Sequence, residues 1–334
     1  MSSKKYKVLV LTDHRKHSKH NSLYPIVREM LSHDRCLSVD IANRGIAAND
    51  GFYKDMDQSK LMVMSALDDF SFTDEHHVLE RADLINVAAH KSYDLVLLRL
   101  PRPISDEFLL WIESIFKNAT IVNRPSGIIK TSNKSYLLNF PKCCAPMKQV
   151  QSIDEVLDYS CDQAIVLKPL REYGGRGLLK ISQGRVDDGT DIHAAKEYLP
   201  TIKKTLETEG YLAMKFLKNV DQGDKRIIVV GGDIMGSSLR LPAKDSWLCN
   251  VSQGGKTVSS PITEEEKDYI YHIAPYLQAE GILMYGVDTL VNDDGLRVIS
   301  EINTLSIGGF EDAQQFSGKP IIKITVEKIF DQCS

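Results

Sequence analysis

Apolar residues recur along the chain with changing period, and the change divides it. In the first third, short continuous apolar runs alternate with amphipathic stretches. YKVLVLT (6–12), CLSVDIA (36–42) and YDLVLLRL (93–100) read as strands buried on both faces, and ATIVNRP (119–125) as a short strand ended by its proline. NSLYPIVREMLSH (21–33) places apolar residues at helical spacing behind Asn21 or Ser22 as N-cap, and a second helix is predicted over 105–117. Such alternation predicts a parallel sheet with helices on both faces.

After residue 124 the pattern changes. A short helical stretch in KTSNKSYLLNF precedes a helix near 152–160, then two strands flank the glycines of VLKPLREYGGRGLLKI (166–181), and a polar helix follows near 191–209. The last third reads as antiparallel pairs: 211–217, 224–242 turning at Gly231 and Gly232, and 281–303 turning near Asp294 and Gly295. Between them a helix is predicted over 264–279, with Thr263 and Glu266 spaced as a capping box. The expected class is α/β built from α+β subdomains, divided as 1–123, 124–212 and 213–334.

A length of 334 residues exceeds what one core fills, which agrees with several subdomains. The net charge of −4 gives no overall basic field for nucleic acid. No apolar run reaches the ~20 residues of a membrane span, and MSSKKYKVLVLTDH leads straight into a strand rather than a cleavable signal; a cytoplasmic protein is expected. Six cysteines (Cys36, Cys143, Cys144, Cys161, Cys249, Cys333) show neither CxxC nor zinc spacing, which points to reduced thiols.

Candidate chemistry begins with an acidic pair. If Asp294 and Gly295 are the central residues of a type I′ hairpin, facing residues have numbers summing to 589, so Asp288 faces Glu301, and Asn303 shares Glu301's face. Opposed carboxylates destabilise a sheet, and these two sit inside apolar runs, so the pair with its amide reads as a cage for a hard cation, Mg²⁺ or Mn²⁺. A register slip that separates the carboxylates, or Asp288 capping a local turn, is the alternative. A metal of this kind also binds phosphates, and Lys134 and Lys168 are the cations to place on the phosphate chain of ATP. The amides of Gly174, Gly175 and Gly177 would then cradle it, although this segment has neither the P-loop nor the GxGxxG spacing and also suits a plain hairpin turn. Met214, Lys215, Phe216 and Leu217 would offer the adenine a wall, with Asp224 or Lys215 reaching the nucleoside.

IVNRP with NKSYL, VLKPLREYGGRGLLKI, DQGDKRIIVVGGDIMGSSLRLP, and GVDTLV with SEIN stand in the order and spacing of the ATP-grasp ligases. Within that superfamily the chain most resembles the bacterial glutathione synthetases, from about residue 93 to the end. The resemblance implies an ATP-grasp fold: a Rossmann-like N-terminal subdomain, a small central lid and a C-terminal antiparallel subdomain with the metal site. It implies that Lys134 and Lys168 bind phosphate, that Asp288, Glu301 and Asn303 ligate magnesium, and that Arg226 and Arg240 face the reacting carboxylate and its acyl phosphate. It further implies a carboxylate–amine ligase that releases ADP, a larger lid at 242–257 bringing Asn250, Gly254 and Gly255 over the acceptor, and a homo-oligomer. The substrates implied are a small-molecule or peptide carboxylate and an amine, γ-glutamylcysteine and glycine in first place. Another amino acid, a protein tail, a ribosomal peptide, or a non-catalytic ATP-binding scaffold are the alternatives. TLSIGGFEDAQ (304–314) departs from the family pattern, with no proline and with Glu311 where an arginine is expected.

Two further stretches stand apart. DHRKHSKHN (13–21) holds three histidines at a spacing of three and reads as a solvated loop at the carboxyl end of the first strand, suited to an anionic substrate. Arg99 and Arg102 end another strand of that sheet, and Arg99 is expected to contact substrate. His76 and His77 read as helix surface.

Overall fold

The computed structural model of the protein describes residues 4–73, 85–87, 93–243, 247–248 and 256–333. Three sheets follow one another along the chain. The first contains β1 (Tyr6–Thr12), β2 (Cys36–Asn43), β3 (Leu61–Ser65), β4 (Ile85–Val87), β5 (Leu95–Arg99) and β6 (Thr120–Val122), in the order β4-β3-β2-β1-β5-β6. Its helices include α1 (Leu23–Ser32), α2 (Asp50–Asp55) and α3 (Asp106–Ile115). Residues alternate across β1: Val8 and Val10 join α1 in one core, while Leu9 and Leu11 join α3 in the other. That is the period-two consequence of a strand covered on both faces, and each such side chain contributes about 1.5–3 kcal/mol by leaving water. Four strands are parallel as expected; β3 and β4 are not, pairing antiparallel at one edge. The sequence pattern predicts no strand between residues 43 and 92, and β3 and β4 add this edge.

Helix α4 (Pro125–Thr131) starts at the proline that ends the β6 segment, a residue suited to the first helical turn. Asn123 joins this turn to the last sheet: its Nδ2 donates to the carbonyls of Met284 and Thr304 at 2.7 and 2.8 Å, and its Oδ1 accepts from the Leu283 and Met284 amides. The second sheet contains β7 (Met147–Val150), β8 (Ile165–Pro169), β9 (Leu179–Ser182), β10 (Arg185–Asp187), β11 (Ile192–Ala194) and β12 (Tyr211–Lys215), all antiparallel, in the order β11-β10-β9-β8-β12-β7. With α5 (Ile153–Ser160) and α6 (Ala195–Thr208) it encloses its own core of Val156, Ile165, Leu167, Leu199 and Leu206.

The third sheet is antiparallel, β15-β14-β13-β16-β17, from β13 (Asp224–Val230), β14 (Asp233–Leu241), β15 (Lys256–Val258), β16 (Met284–Val291) and β17 (Arg297–Asn303). Gly231 and Gly232 have φ of +61° and +84°, as the tight turn between β13 and β14 requires. α7 (Glu264–Ala279) carries the predicted capping box, but Glu266 does more than cap. Its carboxylate is buried and meets Lys225 Nζ at 2.7 Å and Thr289 Oγ1 at 2.5 Å, which fixes α7 to the sheet. α8 (Phe310–Ser317) packs on β14, and α9 (Ile321–Asp331) crosses back to α1, closing the chain against the first sheet.

The β16–β17 hairpin corrects the predicted turn. Next to the loop Val291 pairs with Arg297 and the Asn292 N–H donates to the Leu296 carbonyl at 2.7 Å, so the connection is three residues, Asp293 to Gly295, rather than a two-residue type I′ turn. Asn292 Oδ1 holds it by accepting from the amides of Asp294 and Leu296 at 3.0 and 2.9 Å. A bulge at Ser300 then shifts the register by one, so that Asp288 does face Glu301. The longer turn and the bulge cancel.

Candidate active site

A cavity of 380 Å³ opens between the second and third sheets, bounded by 172–175 and, at the first sheet's end, by 101–102 and 304–308. Lys168, at the end of β8, is buried, and its Nζ donates to the Ser300 carbonyl at 2.9 Å. The bulge that sets the register therefore also supplies the acceptor. Burial pulls the Lys168 ammonium below its ordinary range, with the Glu301 carboxylate opposing. Lys134 Nζ donates to the Glu172 carbonyl and lies 3.2 Å from Glu301 Oε1, tying the start of the glycine segment to the acidic pair.

Asp288 is 4% exposed. Arg226, directly opposite on β13, grips it through Nε on Oδ1 and Nη2 on Oδ2 (2.8 Å); Arg240 Nη2 adds a contact at 3.1 Å and Asn303 Nδ2 another at 3.1 Å. Burial pushes the Asp288 carboxyl up, but the two guanidinium groups outweigh it and hold it well below the usual carboxylate range. Gly286 gives Arg226 its path, since a Cβ there would lie 2.8 Å from Arg226 Cδ. Asp224 Oδ2 accepts from Arg240 Nη2 at 2.5 Å, while Oδ1 is buried without a partner. Burial pushes its carboxyl up to about 6, with Arg240 opposing and the Asp288 charge adding.

Met214, Lys215, Phe216 and Leu217 line the opposite wall. Lys215 Nζ is paired with Asp293 at 2.8 Å, and Asp224 is turned to Arg240. Trp247, from the 242–257 segment, meets the Phe216 ring edge-on at 6.3 Å. Gly174 and Gly175, both with φ above +60°, line the cavity; Gly177 does not, and turns under Pro169 instead.

The structure thus gathers Lys168, Arg226, Arg240, Asp224, Asp288, Glu301 and Asn303 on one cavity with Lys134 just behind. Arg99 is not on its wall. It is 4% exposed and supports the wall from behind, Nη2 donating to Ser22 Oγ and the Ile307 carbonyl at 2.7 and 2.8 Å; burial lowers its guanidinium to about 10. Asn250, Gly254, Gly255, His76 and His77 lie outside the described residues. The histidine loop is less solvated than expected: Asp13 and His14 are buried, and Asp13 pairs with Arg15 and Arg44. Arg171, Ser132, Ser300 and Trp247 reach the site without having been singled out, whereas the 304–308 residues that line it belong to the departing segment TLSIGGFEDAQ. The run preceding Asn133 hinted at Ser132; for Trp247 and Ser300 no local pattern does so.

Among the described residues no three His, Cys, Asp or Glu side chains gather as a metal cluster. Asp288 faces Glu301 with Asn303 nearby, and oxygen donors of this kind suit a hard divalent cation better than zinc, but both Asp288 oxygens are taken by Arg226, Arg240 and Asn303 Nδ2, and Lys134 lies on Glu301. Among the described residues no helix is long and apolar enough to cross a membrane.

A family model, "Prokaryotic glutathione synthetase, ATP-grasp domain", matches residues 133–318. The glutathione synthetase of Parasynechococcus marenigrum is 28% identical over 243 residues, 71% of this chain and 75% of that protein. That of Neisseria meningitidis is 24% identical over 243 residues, 71% and 72% of the two chains. Among solved structures, the D-cycloserine synthetase DcsG aligns with a TM-score of 0.68 at 10% identity, covering 98% of this chain and 100% of its own. D-alanyl-alanine synthetase A from Vibrio cholerae gives 0.63 at 12%, covering 100% and 99%, and the ATP-grasp ligase PsnB with a precursor variant, Mg and ADP gives 0.58 at 11%, covering 99% and 100%. At such identities the structural likeness speaks for the fold.

Proposed function

Since the chain belongs to the prokaryotic glutathione synthetase family of ATP-grasp ligases, we propose that it joins γ-glutamylcysteine to glycine and makes glutathione. It is a carboxylate–amine ligase. The observation that supports acyl-phosphate chemistry is the convergence on one cavity of two arginines, a buried lysine and the acidic pair, drawn from two different sheets, and the substrates are taken from the family.

In this reading Lys134 and Lys168 neutralise phosphate oxygens of ATP, Gly174 and Gly175 close over them, and Met214 to Leu217 flank the base. Asp288, Glu301 and Asn303 would hold a divalent cation, which when bound spreads the negative charge of the phosphates. The substrate carboxylate displaces ADP from the γ-phosphorus to give an acyl phosphate, and the amine then takes the acyl carbon as phosphate departs. Arg226 and Arg240 stabilise the carboxylate oxygen as its charge shifts and later the tetrahedral oxyanion. Asp288 is well placed to set their orientation, because it holds both guanidinium groups at once. The 172–175 segment and the 242–257 segment keep water from an intermediate that hydrolyses readily.

Incubation with ATP, Mg²⁺, γ-glutamylcysteine and glycine, followed by mass spectrometry, tests the reading. ADP with glutathione supports it, and ADP formed only with another carboxylate and amine removes the substrates while keeping the ligase. That second reading is favoured by one observation: the 304–308 part of the departing segment lines the cavity itself.

A further inference from the structure

Among the described residues seven cationic side chains surround the cavity, and most are already answered by a carboxylate. Arg226 meets Asp288, Arg240 meets Asp224 and Asp288, Lys134 meets Glu301, Lys215 meets Asp293, and Arg171 meets Asp106 at 2.5 Å. Among the described residues Lys168 and Arg102 have no such partner. Lys168 belongs to the phosphate reading above; Arg102 has no task in it.

Arg102 lies on the cavity wall, half-buried, and its Nη2 donates to Ser132 Oγ at 2.8 Å. That uses one of five N–H donors in a fork shaped for an oxyanion. Its own carbonyl accepts from Tyr173 OH at 3.2 Å, and Arg171 pairs with Asp106 at the start of α3, so the 171–173 segment is fastened to the chain after β5 at two points. Burial lowers the Arg102 guanidinium, and the Arg171 charge adds to the effect. The wall running from Glu301 through Thr304 to Gly308 leads to the Arg99 end of the first sheet, where Arg102 also sits. The adenine wall at Met214 to Leu217 belongs to the second sheet instead.

We propose that Arg102 receives a second oxyanion of the carboxylate substrate, remote from the carboxyl that reacts, and so selects donors that are at least diacids. The inference rests on the ligase reading and deepens it: for γ-glutamylcysteine the group is the α-carboxylate of the glutamyl moiety.

The test is calorimetric titration of γ-glutamylcysteine, and of its glutamyl α-amide, into the full chain loaded with Mg²⁺ and a non-hydrolysable ATP analogue. The wild type binds the acid about 10-fold to 100-fold more tightly than the amide, the range of a charge-assisted hydrogen bond. Arg102→Ala loses this preference and Arg102→Lys keeps part of it, while the binding of the ATP analogue stays unchanged. Equal binding of acid and amide by the wild type, a preference that survives in Arg102→Ala, or no binding of either overturns the proposal. So does weakened nucleotide binding in Arg102→Ala with the preference intact, which would assign the guanidinium to a phosphate of ATP. The glutathione reading fails separately, when binding shows the preference yet no glutathione forms with glycine.

Discussion

Replacing Asp224 with asparagine should stabilise the ligand-free protein at neutral pH and leave it unchanged in acid. Asp224 is enclosed between Arg240 and the third sheet, and its Oδ1 has no partner. Burial raises its carboxyl from 3.8 to about 6. A carboxyl raised in the folded state holds its proton longer there than in the unfolded chain, so the stability it supports is present below about pH 4 and is lost as pH rises through about 6. The two-unit difference corresponds to a loss of about 3 kcal/mol by pH 7.5. Asparagine keeps an oxygen for Arg240, removes the titration, and exchanges one unpaired atom for another. Asp288 shifts in the opposite direction, and its window lies below about pH 4, so the two do not overlap. Urea unfolding of wild type and Asp224→Asn at pH 4.5 and 7.5 gives the difference of differences, in which all other groups cancel. A gain of about 2–3 kcal/mol for the variant at pH 7.5, and much less at pH 4.5, is expected. An equal effect at both pH values would refute the argument, as would destabilisation at pH 7.5.

Lys168→Ala should lower kcat for ADP release by about 100-fold to 1,000-fold, the scale of one removed charge-stabilising donor, with the circular dichroism spectrum kept; unchanged activity would remove the phosphate role. Lys225→Met should destabilise the protein by about 3–5 kcal/mol in urea, because it strands the buried Glu266 carboxylate against the sheet; a loss below about 1 kcal/mol would show that Thr263 and Thr289 suffice for Glu266. Cys144, whose thiol burial pushes up to about 12, should resist alkylation at pH 8 while the exposed Cys161 reacts, as read by peptide mass spectrometry. Equal rates at the two sites would contradict the burial.

The sequence by itself determined the elements whose signals are local. The buried runs of β1, β2 and β5, the capping box of α7, the glycine pair between β13 and β14, and the facing of Asp288 and Glu301 all follow from period, cap chemistry or turn residues within about a dozen positions. Even there the hairpin held a lesson: a three-residue loop and a bulge at Ser300 gave the predicted pairing by a different route. Only the tertiary structure decided which charges meet. Arg99 ends β5 and Arg102 follows three residues later, yet one is sealed behind Ile307 and the other faces the cavity. Lys225 and Arg226 are neighbours on β13, and strand alternation sends the first to Glu266 on α7 and the second to Asp288. Such partners come from elements tens or hundreds of residues apart, and burial and Coulomb energy depend on their final distance, which no local pattern carries.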